Sequence, residues 1–252
     1  MRSDDLTFVV LAKNEAAKIA GCLESIPAGS PTLVYDAESA DATCEIARQH
    51  GAHVVVSPWH GFAAARTAAA GLVQTPWTFM LDADERLTTE LAQEIACLTA
   101  PPELVGYSVP RRNVFCGRWI RGAGWWPDRL IRLFRTGRAR IRARAGHGLT
   151  ALHEDWLVEG ATGELSAPLE HRSYASTAEY RRKFICYTSL EAADRRSSFP
   201  RVAASWIASA ARFGWLYFAR RGVFDGWQGL YVCAGSAAYQ AVVETNAWRR
   251  SQ

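Results

Sequence analysis

The chain has 252 residues, of which 49% are hydrophobic and 21% are charged. These proportions are ordinary for a globular protein, and they exclude a collagen-like chain or a charge-rich disordered one. The six cysteines lie far apart with no C-x-x-C pair, which favours the reduced thiols of a cytosolic protein over a disulfide framework.

The net charge of +4 conceals an uneven distribution along the chain. Residues 1–110 hold 6 basic and 14 acidic side chains, whereas residues 111–144 hold 11 arginines and one aspartate. Residues 145–171 carry five acids and no Lys or Arg, and residues 172–252 carry 12 basic and 5 acidic side chains. An acidic half followed by basic segments predicts a metal or polar site beside a surface for an anionic partner.

Strand and helix patterns alternate through the first eighty residues. Apolar runs predict strands over residues 6–12, 31–37, 52–58 and 77–81, and helical spacing predicts helices over residues 13–26, 39–51 and 61–74. Ser39 or Asp41 is a candidate N-cap for the second helix. Short connections between such elements predict an α/β fold, with a mostly parallel sheet and helices on both faces.

The pattern changes after residue 87. A predicted helix over residues 88–99 leads into short strands and loops that are rich in Trp and Arg. From about residue 176 the chain is predicted to be helical, with long segments over 176–197 and 200–220 and a final uncharged stretch over 226–243. That stretch is too polar for a transmembrane span, so we expect an interfacial or core helix. The predicted domains are therefore a catalytic domain over 1–175 and a helical, membrane-associated region over 176–252.

Carboxylates follow the predicted strands at the points where the strands end. Asp82 and Asp84 come directly after the fourth strand, and Glu15 and Asp36 follow the first and second. Because ligands of such sheets bind at the carboxyl ends of the strands, we expect these side chains to share one crevice. Two carboxylates one residue apart can bind Mg²⁺ or Mn²⁺. The alternatives are helix caps and solvated turns.

Four segments together resemble a known family: "VVLAKNE", "LVYDAESADAT", "WHGFAAARTAA" and "WTFMLDADERL". They are similar to the inverting family 2 glycosyltransferases, whose nucleotide-sugar-binding fold is called GT-A. More narrowly, the chain resembles the bacterial lipopolysaccharide-core glucosyltransferases that extend the inner-core heptose. The segments "PRRNVFCGRWIRGAGWWPDRLIRLFR", "LHE" and "HRSYASTAEYRRK" carry the same resemblance into the second half of the chain.

The resemblance implies a UDP-sugar donor, with glucose as the sugar, and a divalent cation. By position, the implied donor-site residues are Ala12, Glu15, Asp36, Arg66 and Asp82. Asp84 would hold the metal, with Asp82 beside it. His171, Arg181 or Lys183 would help to hold the metal or the diphosphate. Glu154 falls at the position of the catalytic base, and Asp155 is the neighbouring candidate. A carboxylate suits that task because it can take the proton of the attacking hydroxyl.

Two departures from the family pattern leave the donor open. The family has Asp-Ser-Gly-Ser-x-Asp after the second strand, and this chain has Asp36-Ala-Glu-Ser-Ala-Asp41. Thr67 stands where an Asn is usual. These differences affect the identity of the donor more than the type of reaction.

The arginine-rich stretch suits a phosphorylated glycolipid acceptor, because guanidinium groups bind phosphates and aromatic faces stack on sugars. Trp125, Trp126 and Arg132 are the candidate substrate-binding residues there. A solvated arginine face with core tryptophans is the alternative. We do not expect nucleic acid to bind, because the acidic crevice would repel it.

The sequence thus predicts a cytoplasmic enzyme that is peripheral to the cytoplasmic face of the inner membrane. It would transfer a sugar to a bacterial glycolipid, most simply the lipopolysaccharide inner core. Alternatives are a transferase for another surface polysaccharide or glycolipid, and a non-catalytic nucleotide-sugar-binding protein. A nucleotidyltransferase would want a Gly-rich basic loop after the first strand, and "AKNEAAKIAG" lacks one. The sequence does not predict the oligomeric state.

Overall fold

The computed structural model describes residues 1–143, 154–193 and 195–252. The described residues form two compact units. The first comprises Met1–Arg111 with residues 129–143 and 154–171, and the second comprises residues 112–128, 172–193 and 195–252. The predicted domain boundary at residue 175 stays a prediction.

Strands and helices alternate through the first half of the chain. The strands are β1 (Leu6–Ala12), β2 (Thr32–Asp36), β3 (His53–Val56), β4 (Trp77–Asp82), β5 (Glu85–Leu87), β6 (Leu104–Phe115), β7 (Arg118–Trp119), β8 (Asp128–Arg135), β9 (Ala139–Ala143), β10 (Glu154–Val158), β11 (Ala161–Glu164) and β12 (Leu169–Tyr174). The helices are α1 (Ile19–Leu23), α2 (Thr43–Gln49), α3 (Phe62–Gly71), α4 (Thr89–Ala96), α5 (Thr177–Ala193), α6 (Phe199–Gly214) and α7 (Gly226–Arg250).

Four parallel strands position the candidate site. β1 lies between β2 and β4, and β3 lies beyond β2. In this register Ala12 is opposite Asp36, and Leu11 is opposite Asp82. The carboxyl ends of three strands therefore meet at one edge of the sheet, which is where open α/β sheets bind ligands.

Beyond β4 the sheet becomes mixed. β8 runs antiparallel to β4, β12 runs antiparallel to β5, and β11 runs parallel to β6. The order of the main strands is β3-β2-β1-β4-β8-β6-β12-β5, and β9 and β10 form a separate antiparallel pair. The predicted α/β fold, with its helical C-terminal region, is confirmed. The antiparallel strands were not predicted.

Hydrophobic residues fill both faces of the sheet in the first unit. Phe8 and Val10 of β1 pack with α1, α2 and α4, whereas Val9 packs with α3 and with Trp156 of β10. Successive side chains of a strand point to opposite faces, so a strand buried on both faces is a continuous apolar run. This is why "LTFVVLA" carries no polar alternation.

In the second unit, three helices pack around the end of β6. A separate core forms around Phe115, Tyr180, Leu216 and Val232. A π-helical turn, Trp215–Ala219, and a 3-10 turn, Gly222–Asp225, connect α6 to α7. Among the described parts of the chain, no helix combines the length and apolar character that a membrane span requires.

Three local predictions are wrong. The first helix covers Ile19–Leu23 rather than residues 13–26, because the preceding residues form a loop that is hydrogen-bonded to the loop after β2. The second helix covers Thr43–Gln49 rather than residues 39–51, although Asp41 caps its start as predicted, since its Oδ1 atom accepts a 3.1 Å hydrogen bond from the N–H of Thr43. The Trp- and Arg-rich region was expected to hold only short strands, yet β6 has 12 residues.

Candidate active site

Asp82, the last residue of β4, lies between two arginines. Its Oδ1 atom accepts a hydrogen bond of 2.6 Å from Nη2 of Arg66, and its Oδ2 atom accepts one of 2.9 Å from Nη2 of Arg132. Burial alone would raise the pKa of Asp82, but the two guanidinium groups outweigh burial and hold that pKa well below its usual range. Asp82 is therefore a fixed carboxylate with both oxygens engaged.

A second carboxylate, Glu85, lies beneath this pair and is fully buried. It accepts a hydrogen bond from Arg132, and the Nη1 atom of Arg111 lies 3.6 Å from its Oε1 atom. Its Oε2 atom accepts a 3.0 Å bond from the backbone N–H of Asp82. Burial acts to lower the pKa of Arg132, but the negative charges of Glu85 and Asp82 have the larger effect and raise that pKa. The arginine thus bridges two acids of the same turn.

Asp84 and His171 form a second pair at this edge. The strand pairing of β5 with β12 brings His171 opposite Glu85, and its Nε2 atom lies 3.6 Å from Oδ1 of Asp84. The side chains of Asp84 and His171 are 14% and 17% exposed. One carboxylate and one imidazole fit a divalent cation that takes its other ligands from water and phosphate. The described residues contain no group of three or more His, Cys, Asp or Glu side chains able to hold a metal.

The loops after β1 and β2 are hydrogen-bonded to each other. The N–H of Asn14 donates to Oγ of Ser39, and its Oδ1 accepts from the N–H of Ala40. The N–H of Glu15 donates to Oγ1 of Thr43. Asn14 has a φ of 54°, in the left-handed region that Asn tolerates better than most residues. These bonds hold the loop that carries Glu15 against the loop that follows Asp36.

Asp36 is fully buried at the end of β2, beside Ala12. Its Oδ1 atom accepts from the N–H of Ser39 at 2.8 Å, and its Oδ2 atom accepts from the hydroxyl of Ser39 at 2.6 Å. Each carboxylate oxygen has a further lone pair with which it could accept from a ligand. Ser39, which the family pattern also has, thus orients the carboxylate of Asp36, one of the predicted donor-site residues.

The two candidate catalytic bases lie at the start of β10. The side chain of Glu154 lies outside the described residues, and its role stays a prediction. Asp155 is partly exposed, and its backbone is opposite Arg142 in the β9–β10 pair. The next residue, Trp156, packs 4.7 Å from Phe134, measured between ring centroids. This contact anchors β10 to the core of the first unit.

The remaining predicted residues belong to the second unit. Trp126 packs edge-on against Trp119 with ring centroids 5.0 Å apart, and the backbone oxygen of Trp125 accepts a hydrogen bond from Nδ2 of Asn113. The ammonium of Lys183 lies 5.2 Å from the ring centre of Tyr174 and 3.4 Å from Glu179. Arg181 lies on α5. Of the predicted residues, the first unit therefore brings together Arg66, Asp82, Asp84, Arg132 and His171, and separately Ala12, Glu15 and Asp36.

Sequence reasoning missed several residues of these clusters. Glu85 and Leu87 are two residues apart on β5 and therefore both point inward, but the sequence analysis did not predict this three-residue strand. Nothing in the sequence pairs Arg111 with it. Lys13 lies over the ring of Trp59 at 5.1 Å, so the loops after β1 and β3 also meet. A contact between two loops leaves no periodic signal in the sequence.

Comparison with known proteins gives one family and several relatives. The family described as glycosyl transferase family 2 matches residues 7–153, more than half of the chain. An uncharacterized glycosyltransferase of Rickettsia felis is 38% identical over 98 residues, covering 38% of this chain and 35% of that protein. The lipopolysaccharide core biosynthesis glycosyltransferase LpsC of Rhizobium meliloti is 28% identical over 169 residues, covering 63% of this chain and 59% of LpsC.

Solved structures also match part of the chain. Glucosyl-3-phosphoglycerate synthase of Mycobacterium tuberculosis, in complex with Mn²⁺, UDP and glucosyl-3-phosphoglycerate, is 21% identical with a TM-score of 0.36, over 42% of this chain and 44% of that one. The chain spans less than two thirds of the length of either of the two relatives above.

Proposed function

Because the chain belongs to glycosyl transferase family 2, we propose that it is an inverting, metal-dependent glycosyltransferase. It moves glucose from UDP-glucose to a phosphorylated glycolipid of the bacterial surface, the inner core of lipopolysaccharide. The observation that carries this proposal is the cluster at the carboxyl end of β4. There, Asp82 is held by Arg66 and Arg132, and Asp84 faces His171.

On the donor side, Asp36 accepts a hydrogen bond from the uracil, and Ala12 and Glu15 line the uridine pocket. Support comes from the register that puts Ala12 beside Asp36 and from the bonds that join their loops. Arg66 lies nearest to the diphosphate and also fixes Asp82 by its 2.6 Å bond. Asp82 then offers a pre-oriented carboxylate to the ribose or the sugar, with no need to reorganise during the reaction.

Asp84 and His171 would hold Mg²⁺ or Mn²⁺, with water and diphosphate oxygens as the other ligands. When bound, the cation offsets the negative charge that develops on the departing diphosphate. Both oxygens of Asp82 already accept from arginines, so we assign it to the substrate rather than to the first ligand shell of the metal.

The transfer is a displacement at the anomeric carbon. The acceptor oxygen forms the new bond from the side opposite the diphosphate, and the bond to the diphosphate breaks. The carboxylate of Glu154 or Asp155 takes the proton of the attacking hydroxyl. Support for a base on this strand comes from Trp156, the next residue along β10, which packs against Phe134 in the core of the first unit.

We assign the acceptor contacts to the arginine-rich stretch, with Trp125 and Trp126 as candidates, and Lys183 stays a candidate for the diphosphate. The role of LpsC in lipopolysaccharide core biosynthesis supports a glycolipid of that kind. Arg132 acts through Asp82 and Glu85, because it is only 4% exposed. Because a glycolipid acceptor lies in a membrane, we propose that the enzyme makes peripheral contact with the cytoplasmic face of the inner membrane.

The test measures UDP release with a panel of UDP-sugars and a core-truncated lipopolysaccharide acceptor, in Mn²⁺ or in EDTA. We expect release with UDP-glucose that requires both acceptor and metal and falls at least about 100-fold in Asp84→Asn. The matched control is Asp4→Asn, in the exposed N-terminal turn. UDP binding without turnover of any donor would contradict the proposal in favour of a binding protein. Turnover with another sugar or glycolipid would correct only the substrate.

A further inference from the structure

The turns between α6 and α7 expose large apolar side chains. We call this region the tip, and it comprises residues 215–227. Trp215, Phe218, Phe224 and Trp227 are 53%, 68%, 75% and 54% exposed. Leu216 in the same turn is buried in the core of the second unit. The tip therefore has an anchored inner side and an outer side of four large aromatic residues, which is unusual for a surface in contact only with water.

The charge around the tip has one sign. The last turn of α6 and the tip, residues 211–227, hold three arginines and a single acid, Asp225. Asp225 is 3% exposed, so its carboxylate does not contribute to the outer surface. The guanidinium of Arg220 lies 5.3 Å from the ring centre of Trp215. The outer side thus combines aromatic rings with positive charge, which is the composition that anchors proteins at anionic membrane surfaces.

Hydrogen bonds hold the tip in a fixed shape. The two oxygens of Asp225 accept from the N–H groups of Arg121 and Gly122, at 3.1 and 2.7 Å. The carbonyl of Arg220 accepts from the N–H of Ala123 at 2.8 Å. A Cβ atom on Gly122 would lie 2.5 Å from the backbone oxygen of Arg221, so only glycine allows this approach. The exposed aromatic residues therefore lie on turns whose backbone is fixed by hydrogen bonds.

We propose that the tip docks on an anionic phospholipid bilayer. Trp215, Phe218, Phe224 and Trp227 enter the boundary between headgroups and acyl chains, and Arg220 and Arg221 contact lipid phosphates. The described helices are not long and apolar enough to span a membrane, so this contact is interfacial. A second copy of the chain is a poorer occupant, because it would bring the arginines of two tips together. The inference rests on the proposed function only in that a glycolipid acceptor lies in a membrane.

The tip is hydrogen-bonded to Arg121 and Gly122, which directly follow β7 and its residue Trp119. Arg121 and Arg112 lie on the ring of Trp119, at 4.3 and 4.6 Å from its centre. Docking of the tip would therefore hold this cationic aromatic cluster close to the headgroup layer. A phosphorylated glycolipid could reach it without leaving the bilayer.

The experiment measures co-sedimentation of the full chain with vesicles of phosphatidylglycerol and phosphatidylethanolamine, and with vesicles of phosphatidylcholine alone. Phe218→Ser/Phe224→Ser should lower the partition coefficient on anionic vesicles by at least about tenfold. Arg220→Gln/Arg221→Gln should lower it by about thirtyfold on anionic vesicles and have little effect on neutral ones. The matched control is Val56→Ser/Leu72→Ser, which removes two side chains of the first unit that are 51% and 48% exposed.

Wild-type binding to anionic vesicles that survives in both tip variants would overturn the proposal. So would a dimer, detected by light scattering, that is lost in the tip variants while vesicle binding stays the same. UDP binding by each variant is measured in parallel, to show that the chain is folded. If the wild type binds vesicles through the tip but binds no UDP, the proposed function fails and the docking surface stands.

Discussion

The Nη2 atom of Arg132 lies 2.9 Å from Oδ2 of Asp82, although 50 residues separate them along the chain. The antiparallel pairing of β4 and β8 makes this contact possible, since it brings the two strands side by side. The same guanidinium also bonds to Glu85. The buried guanidinium group of Arg132 thus fixes the turn that carries Asp82, Asp84 and Glu85, and the candidate site depends on this contact.

Arg132→Met should strongly destabilise the protein. The substitution leaves Glu85 buried without its closest cation, and breaking a buried ion pair from one side costs about 3 to 5 kcal/mol. Denaturant unfolding measures the change in the free energy of unfolding. Arg140→Met is the control, because its pair with Glu159 at 3.1 Å is exposed and contributes less than about 1 kcal/mol. Equal losses in the two variants would contradict the account of Arg132.

The contribution of Asp82 to stability should depend on pH only in acid. Its pKa in the folded protein lies below the unfolded value of 3.8, so the unfolded chain binds the proton more readily. The stabilisation is then fully present above about pH 5 and is lost as the pH falls further. The difference in unfolding free energy between wild type and Asp82→Asn should be constant from about pH 6 to 8 and shrink below about pH 4. A difference that already shrinks between pH 8 and 6 would refute the depressed pKa.

The four parallel strands were predictable because each is an apolar run bounded by turn residues and followed by a helical pattern. Asp82, Asp84, Asp36 and Glu15 could be located from the sequence, since the carboxyl ends of those strands define the ligand-binding edge. The partner arginines could not be paired with them. Arg66 and Arg132 stand among many other arginines, and only the tertiary fold selects which of them reach Asp82.

The short first helix is the clearest failure of periodicity. "KNEAAKIAGCLESI" has helical spacing, but Asn14 adopts a left-handed conformation and bonds to the loop after β2. Tertiary hydrogen bonds therefore override the local preference up to residue 18. A departure of this kind at a strand end is expected where the backbone is shaped for a ligand.

Two substitutions of Asn14 should separate backbone shape from side-chain bonding. Asn14→Gly keeps the left-handed conformation and loses the bond to the N–H of Ala40, whereas Asn14→Ala loses both. We expect the KM for the donor to rise in both variants, and to rise more in Asn14→Ala, with a smaller effect on kcat. Steady-state kinetics on the donor measure this. An unchanged KM in Asn14→Ala would show that the joined loops do not form the donor pocket.

One of the two candidate bases should be essential for turnover. Glu154→Gln or Asp155→Asn should lower kcat by about 100-fold or more, because the attacking hydroxyl loses its proton acceptor. UDP binding should be unchanged in both variants, and calorimetry checks this. Glu159→Gln, just after β10, is the control. Full transfer rates in both variants would show that the catalytic base does not lie on β10.

The most direct test of the account is calorimetric titration of UDP into wild type, Asp84→Asn and His171→Ala, each with Mn²⁺ and with EDTA. It needs neither the acceptor nor the correct sugar, so it addresses only the claim that this edge of the sheet binds a nucleoside diphosphate with a divalent cation. We predict that wild type binds UDP at least about tenfold more tightly with Mn²⁺, and that this gain is lost in Asp84→Asn and reduced in His171→Ala. Wild-type UDP binding that is equally tight in EDTA, or no UDP binding at all, would contradict the central claim.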